Sequence, residues 1–188
     1  MSLLVIGSLA FDSIESPFGK ADRIIGGSAS YIGYAASYFT QDINLVAVVG
    51  NDFPEKELSL LQRQGMDIEG VQVKTDEESF FWSGRYHNDM NSRDTLETRL
   101  NVLGTFDPVV PDKYQGSEFL MLGNLGPDVQ ITTINRLKNR PKFIALDTMN
   151  FWMDNARKDL DNVLTMIDML IINDEEARQL TGEYSLVK

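Results

Sequence analysis

The chain contains no cysteine and a single histidine, His87. Disulfides, thiolate metal centres and a cysteine nucleophile are thereby excluded. A histidine triad would rest on His87 alone, in a polar segment, and would still need a nucleophile and an orienting acid beside it. Positive charge is also scarce: 17 Lys and Arg face 28 Asp and Glu, a formal net charge of -11. That balance argues against a sequence-independent nucleic-acid partner and against an anionic membrane surface. A polyanionic ligand then needs local groups or a metal to hold it. No apolar run approaches the ~20 residues of a membrane span. The opening "MSLLVIGSLAFDS" has no basic leader and no cleavage-like segment, so a cytoplasmic location is expected. There is no internal repeat, low-complexity tract or Gly/Ser linker. The 188 residues suffice for one domain with a sizeable core, or for part of a larger one.

What is present is a rhythm. Short apolar runs, "LLVIG" (3–7), "INLVAVVG" (43–50), "FLMLG" (119–123), "FIALD" (143–147) and "MLIIN" (169–173), each end in a small or polar residue. Such runs suit strands buried on both faces. Helix-like segments lie between them at 28–39, 54–65, 127–138, 155–167 and 174–182, the second opened by Pro54 and closed by Gly65. Strand alternating with helix predicts an α/β fold with a mostly parallel, doubly wound sheet. Two segments break the rhythm. Residues 11–25 are too long and polar for a strand–helix turn, and residues 79–106 are rich in aromatic and β-branched residues with turn signals. Both read as antiparallel hairpins beside the main sheet.

Ligands of open α/β sheets bind beyond the carboxyl ends of the strands. Ser8, Asp12, Asn51, Asp52, Asn124, Asp147, Asn150, Asn173 and Glu176 collect there. The stretch "RIIGGSASYIGYAASYF" (23–39) places Gly26 and Gly27 before a helix. It is no dinucleotide fingerprint, because its glycines come long after the first strand, and no P-loop, because no lysine follows. A glycine pair there can bring backbone N–H groups and a helix N-terminus close to a ligand's hydroxyls or phosphates. In "IINDEEARQLTG" (171–182), Asn173 and Glu176 have capping-box spacing. The same two residues at a strand end also suit a hydrated Mg²⁺ near phosphates.

Together these pieces resemble the ribokinase-like (PfkB) carbohydrate and nucleoside kinases, over most of the chain. "VIGSLAFD" is similar to the family's first strand, whose closing Asp, here Asp12, binds sugar hydroxyls. "GGSASYIGYAASYF" resembles the first signature, with Gly26 and Gly27 approaching the sugar and Ser28 beside them. "VAVVGNDFPEKELSLLQRQGMDIEGV" resembles the next strand–helix–strand unit. "NDEEARQLTG" resembles the NxxE motif, which implies that Asn173 and Glu176 act around Mg²⁺ and phosphate, largely through water. The segments at about 11–25 and 79–106 fall where the family inserts a β-sheet lid that covers substrate and often forms a dimer interface.

The resemblance implies ATP- and Mg²⁺-dependent phosphotransfer to a hydroxyl of a sugar or sugar-like alcohol. A nucleoside kinase of the same family, and a non-catalytic sugar-binding or dimerisation module, are the alternatives. The expected acceptor-site residues are Asp12, Gly26, Gly27, Ser28, Tyr31, Trp82, Arg85, Asn124 and Asp147, with Tyr86 and Asn150 as further candidates. Tyr31 stands where the family usually has an Asn that contacts the sugar. The family's second signature, a Gly-Ala-Gly-Asp stretch carrying the catalytic base, is not in these residues. The chain is therefore expected to be the N-terminal part of such a kinase, holding the acceptor site, the lid and part of the Mg²⁺ shell but no catalytic base, and inactive alone.

Overall fold

The computed structural model describes residues 1–90, 92–185 and 187; Asn91, inside the second lid segment, lies outside the described residues. The five apolar runs, together with β5 (Met66–Val73), form one parallel sheet: β1 (Leu3–Ile6), β4 (Ile43–Val49), β5, β8 (Phe119–Leu122), β9 (Phe143–Asp147) and β10 (Met169–Ile171). Their spatial order is β10-β9-β8-β1-β4-β5, and every neighbouring pair is parallel.

Side chains alternate between the two faces of a strand, and each face has its own core. Leu4, Ile6, Val46, Val48, Leu120, Leu122, Ile144 and Leu146 point to one side, against α3 (Pro127–Arg136) and α5 (Arg157–Leu164), with Leu160 and Val163 fully buried there. Val5, Leu45, Ala47 and Val49 point to the other, against α1 (Ser28–Ser37) and α2 (Glu55–Arg63), with Ala29 and Leu61 buried. The expected segment 155–167 holds α5, and a short helix that was not expected, α4 (Asn150–Asn155), precedes it, the two meeting at Ala156. The last helix, α6 (Asp174–Thr181), opens on the expected capping box: Glu176 N–H donates to Asn173 Oδ1, and Asn173 N–H donates to Glu176 Oε2, both at 2.9 Å.

The chain leaves this sheet twice. After β1 it forms β2 (Ala10–Ser16) and β3 (Gly19–Gly26), and after β5 it forms β6 (Phe80–Tyr86) and β7 (Arg93–Arg99). The four make a second sheet ordered β3-β2-β6-β7. Each hairpin is antiparallel, as expected, but they are joined by a parallel β2–β6 pair, which the reading of antiparallel hairpins alone did not anticipate. The second lid segment also ends earlier than 106. Residues Asn101–Thr105 form a 3-10 turn whose Val102, with Phe106 just after it, is buried in the main core. An apolar pair three to four residues apart anchors the returning chain instead of extending the lid.

Candidate acceptor site beneath the lid

Register in the lid sheet decides which side chains meet. Asp12 pairs with Trp82, and Trp82 with Thr98, so all three share one face. Their neighbours Phe11, Phe81 and Arg99 share the other. That other face is packed: Phe11 and Phe81 join the core with Phe53, the Arg23 guanidinium lies 4.2 Å from the Phe11 ring centre, and Arg99 lies 4.5 Å from that of Phe81. The first face looks onto the carboxyl ends of β1 and β8. Between them is a cavity of about 340 Å³ walled by Ser8, Asp12, Gly27, Ser28, Tyr31, Phe80, Trp82, Tyr86, Arg93, Asn124 and Met149.

Asp12 is the acidic group in its lining. Its carboxylate lies so close over Gly26 that a Cβ there would stand 2.0 Å from Asp12 Oδ2. A side chain at position 26 would therefore displace the Asp12 carboxylate from its place. Gly27 is required for a second reason: it has φ +93°, and a Cβ would come within 2.3 Å of the Ser8 carbonyl oxygen. Burial pushes the Asp12 carboxyl up to about 6. The Tyr31 phenol is raised as well, by burial first and then by the charges of Asp12 and Tyr86. Tyr31 stays 57% exposed, at the rim.

The start of α1 differs from expectation. Ser28 N–H donates to Ser8 Oγ at 3.0 Å and Ala29 N–H to the Ser8 carbonyl at 3.0 Å. The first two helical amides are thus spent on the end of β1, and the glycine pair does not offer them to a ligand. What the pair does is let Asp12 and the helix start lie against one another. On the opposite wall Asn124 is held at both ends: Trp152 Nε1 donates to Asn124 Oδ1 at 2.8 Å, and Asn124 Nδ2 faces Met149 Sδ at 3.0 Å.

Other expected residues lie elsewhere. Arg85 is on the packed face of the lid, paired with Glu15, where its guanidinium donates to Glu15 Oε2 at 3.3 Å. It does not wall the cavity. Strand parity explains the correction: Trp82 and Tyr86 are an even number of residues apart, and Arg85 is out of step with both. Arg93 takes the cationic place instead, brought in by its pairing with Tyr86. Asp52 holds the lid to the main sheet, accepting from Ser79 N–H at 2.7 Å and from Arg23 at 2.5 Å. Asn51 and Asn150 likewise donate to Thr75 and Gln179. His87 sits at the lid hairpin, its Nε2 3.1 Å from Asp94 Oδ2.

Asp147, also expected at the site, is not among the residues that wall the cavity. It accepts from the backbone N–H groups of Asn124 and Thr148, and its carboxyl is pushed up to about 6 by burial and then by the charge of Glu176. Glu176 is buried. Among the described residues no group of three or more His, Cys, Asp or Glu is arranged to hold a metal ion.

No protein-family model matches the chain. It is 25% identical over 186 residues to a cytidine kinase of Thermococcus kodakarensis, covering 97% of this chain and 65% of that one. Among solved structures it resembles a nucleoside kinase of Methanocaldococcus jannaschii, described as an archaeal member of the ribokinase family. The TM-score is 0.74 at 14% identity, covering 98% of this chain and 64% of that one. It also resembles a fructokinase of Halothermothrix orenii, with a TM-score of 0.74 at 14% identity, covering 99% of this chain and 73% of that one. The α/β fold is thus the ribokinase-like fold, as the sequence motifs indicated. The chain spans about two thirds of the length of the curated relative it matches.

Proposed function

We propose that this chain is the acceptor-binding part of a kinase that moves the terminal phosphoryl group of ATP to a hydroxyl of a sugar or nucleoside. The observation that carries the reading is Asp12: a half-buried carboxylate facing a cavity between a lid and the carboxyl ends of a ribokinase-like sheet. A carboxylate accepts hydrogen bonds only, so its complement is a donor pair such as neighbouring hydroxyls. Desolvation makes those bonds strong, since the alternative is an unsatisfied buried charge. The cytidine kinase, nucleoside kinase and fructokinase that the chain resembles support phosphotransfer as the chemistry.

The division of labour follows from the geometry. Asp12 orients the acceptor by its hydroxyls, and Asn124, fixed by Trp152, sets its depth. The lid face around Trp82 and Tyr86 excludes water, which strengthens every polar contact inside. Arg93 supplies positive charge at the cavity wall. Phosphotransfer relies on alignment of the acceptor and neutralisation of phosphate charge. ATP with Mg²⁺ is part of the reading. Glu176 and Asn173 fit a water-mediated role toward Mg²⁺ only, because one carboxylate oxygen and the Asn173 Oδ1 are already committed to the α6 cap. A homodimer through the lid and a cytoplasmic location remain part of the proposal; among the described residues no helix is long and apolar enough to cross a membrane.

The test is ATP consumption coupled to product detection, over a panel of sugars and nucleosides. It compares the 188-residue chain with a polypeptide extended by its downstream coding sequence. The extended polypeptide should phosphorylate an acceptor and the 188-residue chain should not. No transfer by the extended polypeptide overturns the kinase reading, and transfer by the short chain overturns the placing of the catalytic base outside it.

A further inference from the structure

A second cavity adjoins the acceptor site. It encloses about 470 Å³ and shares Ser8, Phe80, Trp82, Asn124 and Met149 with the first. Beyond that shared wall its surroundings change character: Leu100 and Leu103 come from the chain leaving the lid, Phe151 and Trp152 from α4, and only Thr95 and Thr98 add hydroxyls. The two spaces adjoin as two arms of one site, with the carboxylate of Asp12 lining one and an aromatic, apolar lining in the other.

The dividing wall is the Trp82 indole, and it is fixed in place. Trp82 Nε1 donates to Thr95 Oγ1 on the neighbouring strand at 3.3 Å. The ring lies across Gly84, where a Cβ would stand 2.1 Å from the indole Cη2. Gly84 has no left-handed φ to explain it, so its lack of a side chain serves the indole. A free sugar would leave the second arm filled only with water against apolar walls. A substrate that carries hydroxyls at one end and a flat, largely apolar ring with a few polar edges at the other fills both.

Resting on the kinase reading above, we propose that the acceptor is a nucleoside. Its sugar lies on Asp12, and its base lies in the arm bounded by Trp82, Phe151 and Trp152. Gly84 is a positioning residue that holds the indole flat for that base. Phe151 is half exposed at the open side and ringed edge-on to Trp152, 4.9 Å between centres, so the base enters between the lid and α4.

The experiment is isothermal titration of the 188-residue chain with D-ribose, D-fructose and the purine and pyrimidine ribonucleosides. At least one ribonucleoside should bind roughly tenfold or more tighter than either free sugar, the scale of one base–aromatic stack. Phe151→Ala should weaken that nucleoside by about tenfold while leaving D-ribose binding unchanged, and Gly84→Ala should weaken the nucleoside more than it weakens D-ribose. Unaltered far-ultraviolet circular dichroism and an unaltered melting transition confirm that the variants fold. Free sugars binding as tightly as every nucleoside, no nucleoside binding at millimolar concentration, or equal weakening of ribose and nucleoside by Gly84→Ala each overturns the proposal. Nucleoside binding without phosphotransfer by the extended polypeptide would sink the kinase reading alone. Transfer to free sugars only would sink this one alone.

Discussion

Asp12 is where stability and function oppose one another. Its folded-state carboxyl is raised to about 6 from an ordinary value near 3.8. A raised acid binds its proton more tightly in the folded state, so its contribution is favourable below about 3.8 and is lost as pH climbs through about 6. At neutral pH the fold therefore holds an ionised, half-buried carboxylate at a cost. Asp12→Asn should raise the melting temperature at pH 7.5 and bring no gain near pH 3.5, as read by thermal melts across that range. A lower melting temperature at pH 7.5 would contradict the assignment of its shift to burial. Much of this site was legible in sequence. Asp12, Asn124 and the glycine pair stand at strand ends, where α/β sheets bind ligands, and the family resemblance singled out Asp12 and Tyr31. Arg93, Thr95 and Thr98 were not legible, because they sit in a polar hairpin and only its register with β6 turns them inward. Arg85 shows the converse: proximity in sequence to Trp82 suggested a shared site, and strand parity places it on the opposite face.

At the scale of elements, α6 is held by its own sequence. Asn173 and Glu176 satisfy each other's backbone donors, and acidic Asp174 and Glu175 occupy the first turn, where the helix dipole favours negative charge. Asn173→Ala should lower stability by about 1 kcal/mol, the usual worth of such a cap, in a denaturant titration. No change would mean that α6 is frayed in solution. Five of the six parallel strands were legible because each is a short apolar run closed by a small or polar residue; β5, which carries Asp67, Glu69 and Gln72, is not such a run. The short helix α4 was not legible, since Asn150 to Trp152 read as part of a strand end. Nor was the parallel β2–β6 pair: the two strands are far apart in sequence, and nothing in either one names its partner.

The whole molecule leaves one part of its sheet uncovered. On the face that α1 covers over β1, the outward side chains of β8, β9 and β10 form an apolar hollow with Leu3 and Ile32, walled by Phe119, Met121, Phe143, Ala145 and Ile171. Phe143, Met169 and Ile171 are each 39% exposed or more. Apolar surface of this kind favours association. The purified chain should bind a hydrophobic dye and self-associate in light scattering, and Phe143→Lys with Ile171→Lys should reduce both without loss of secondary structure. A dye-silent monomer would contradict the exposed face. The cavity at Asp12 shares no lining residue with this hollow, so ligand binding there can be measured on the same chain.

The measurement closest to the central claim is calorimetric binding of the sugar and nucleoside panel to the wild-type chain and to Asp12→Asn, at pH 7.5 and pH 5. An acceptor held by an ionised Asp12 should bind the wild type at pH 7.5, bind more weakly at pH 5 where the carboxyl is largely protonated, and lose at least about tenfold in affinity to Asp12→Asn at pH 7.5, in line with a charge-assisted hydrogen bond. Equal affinity in the two proteins, or tighter binding at pH 5, would contradict it.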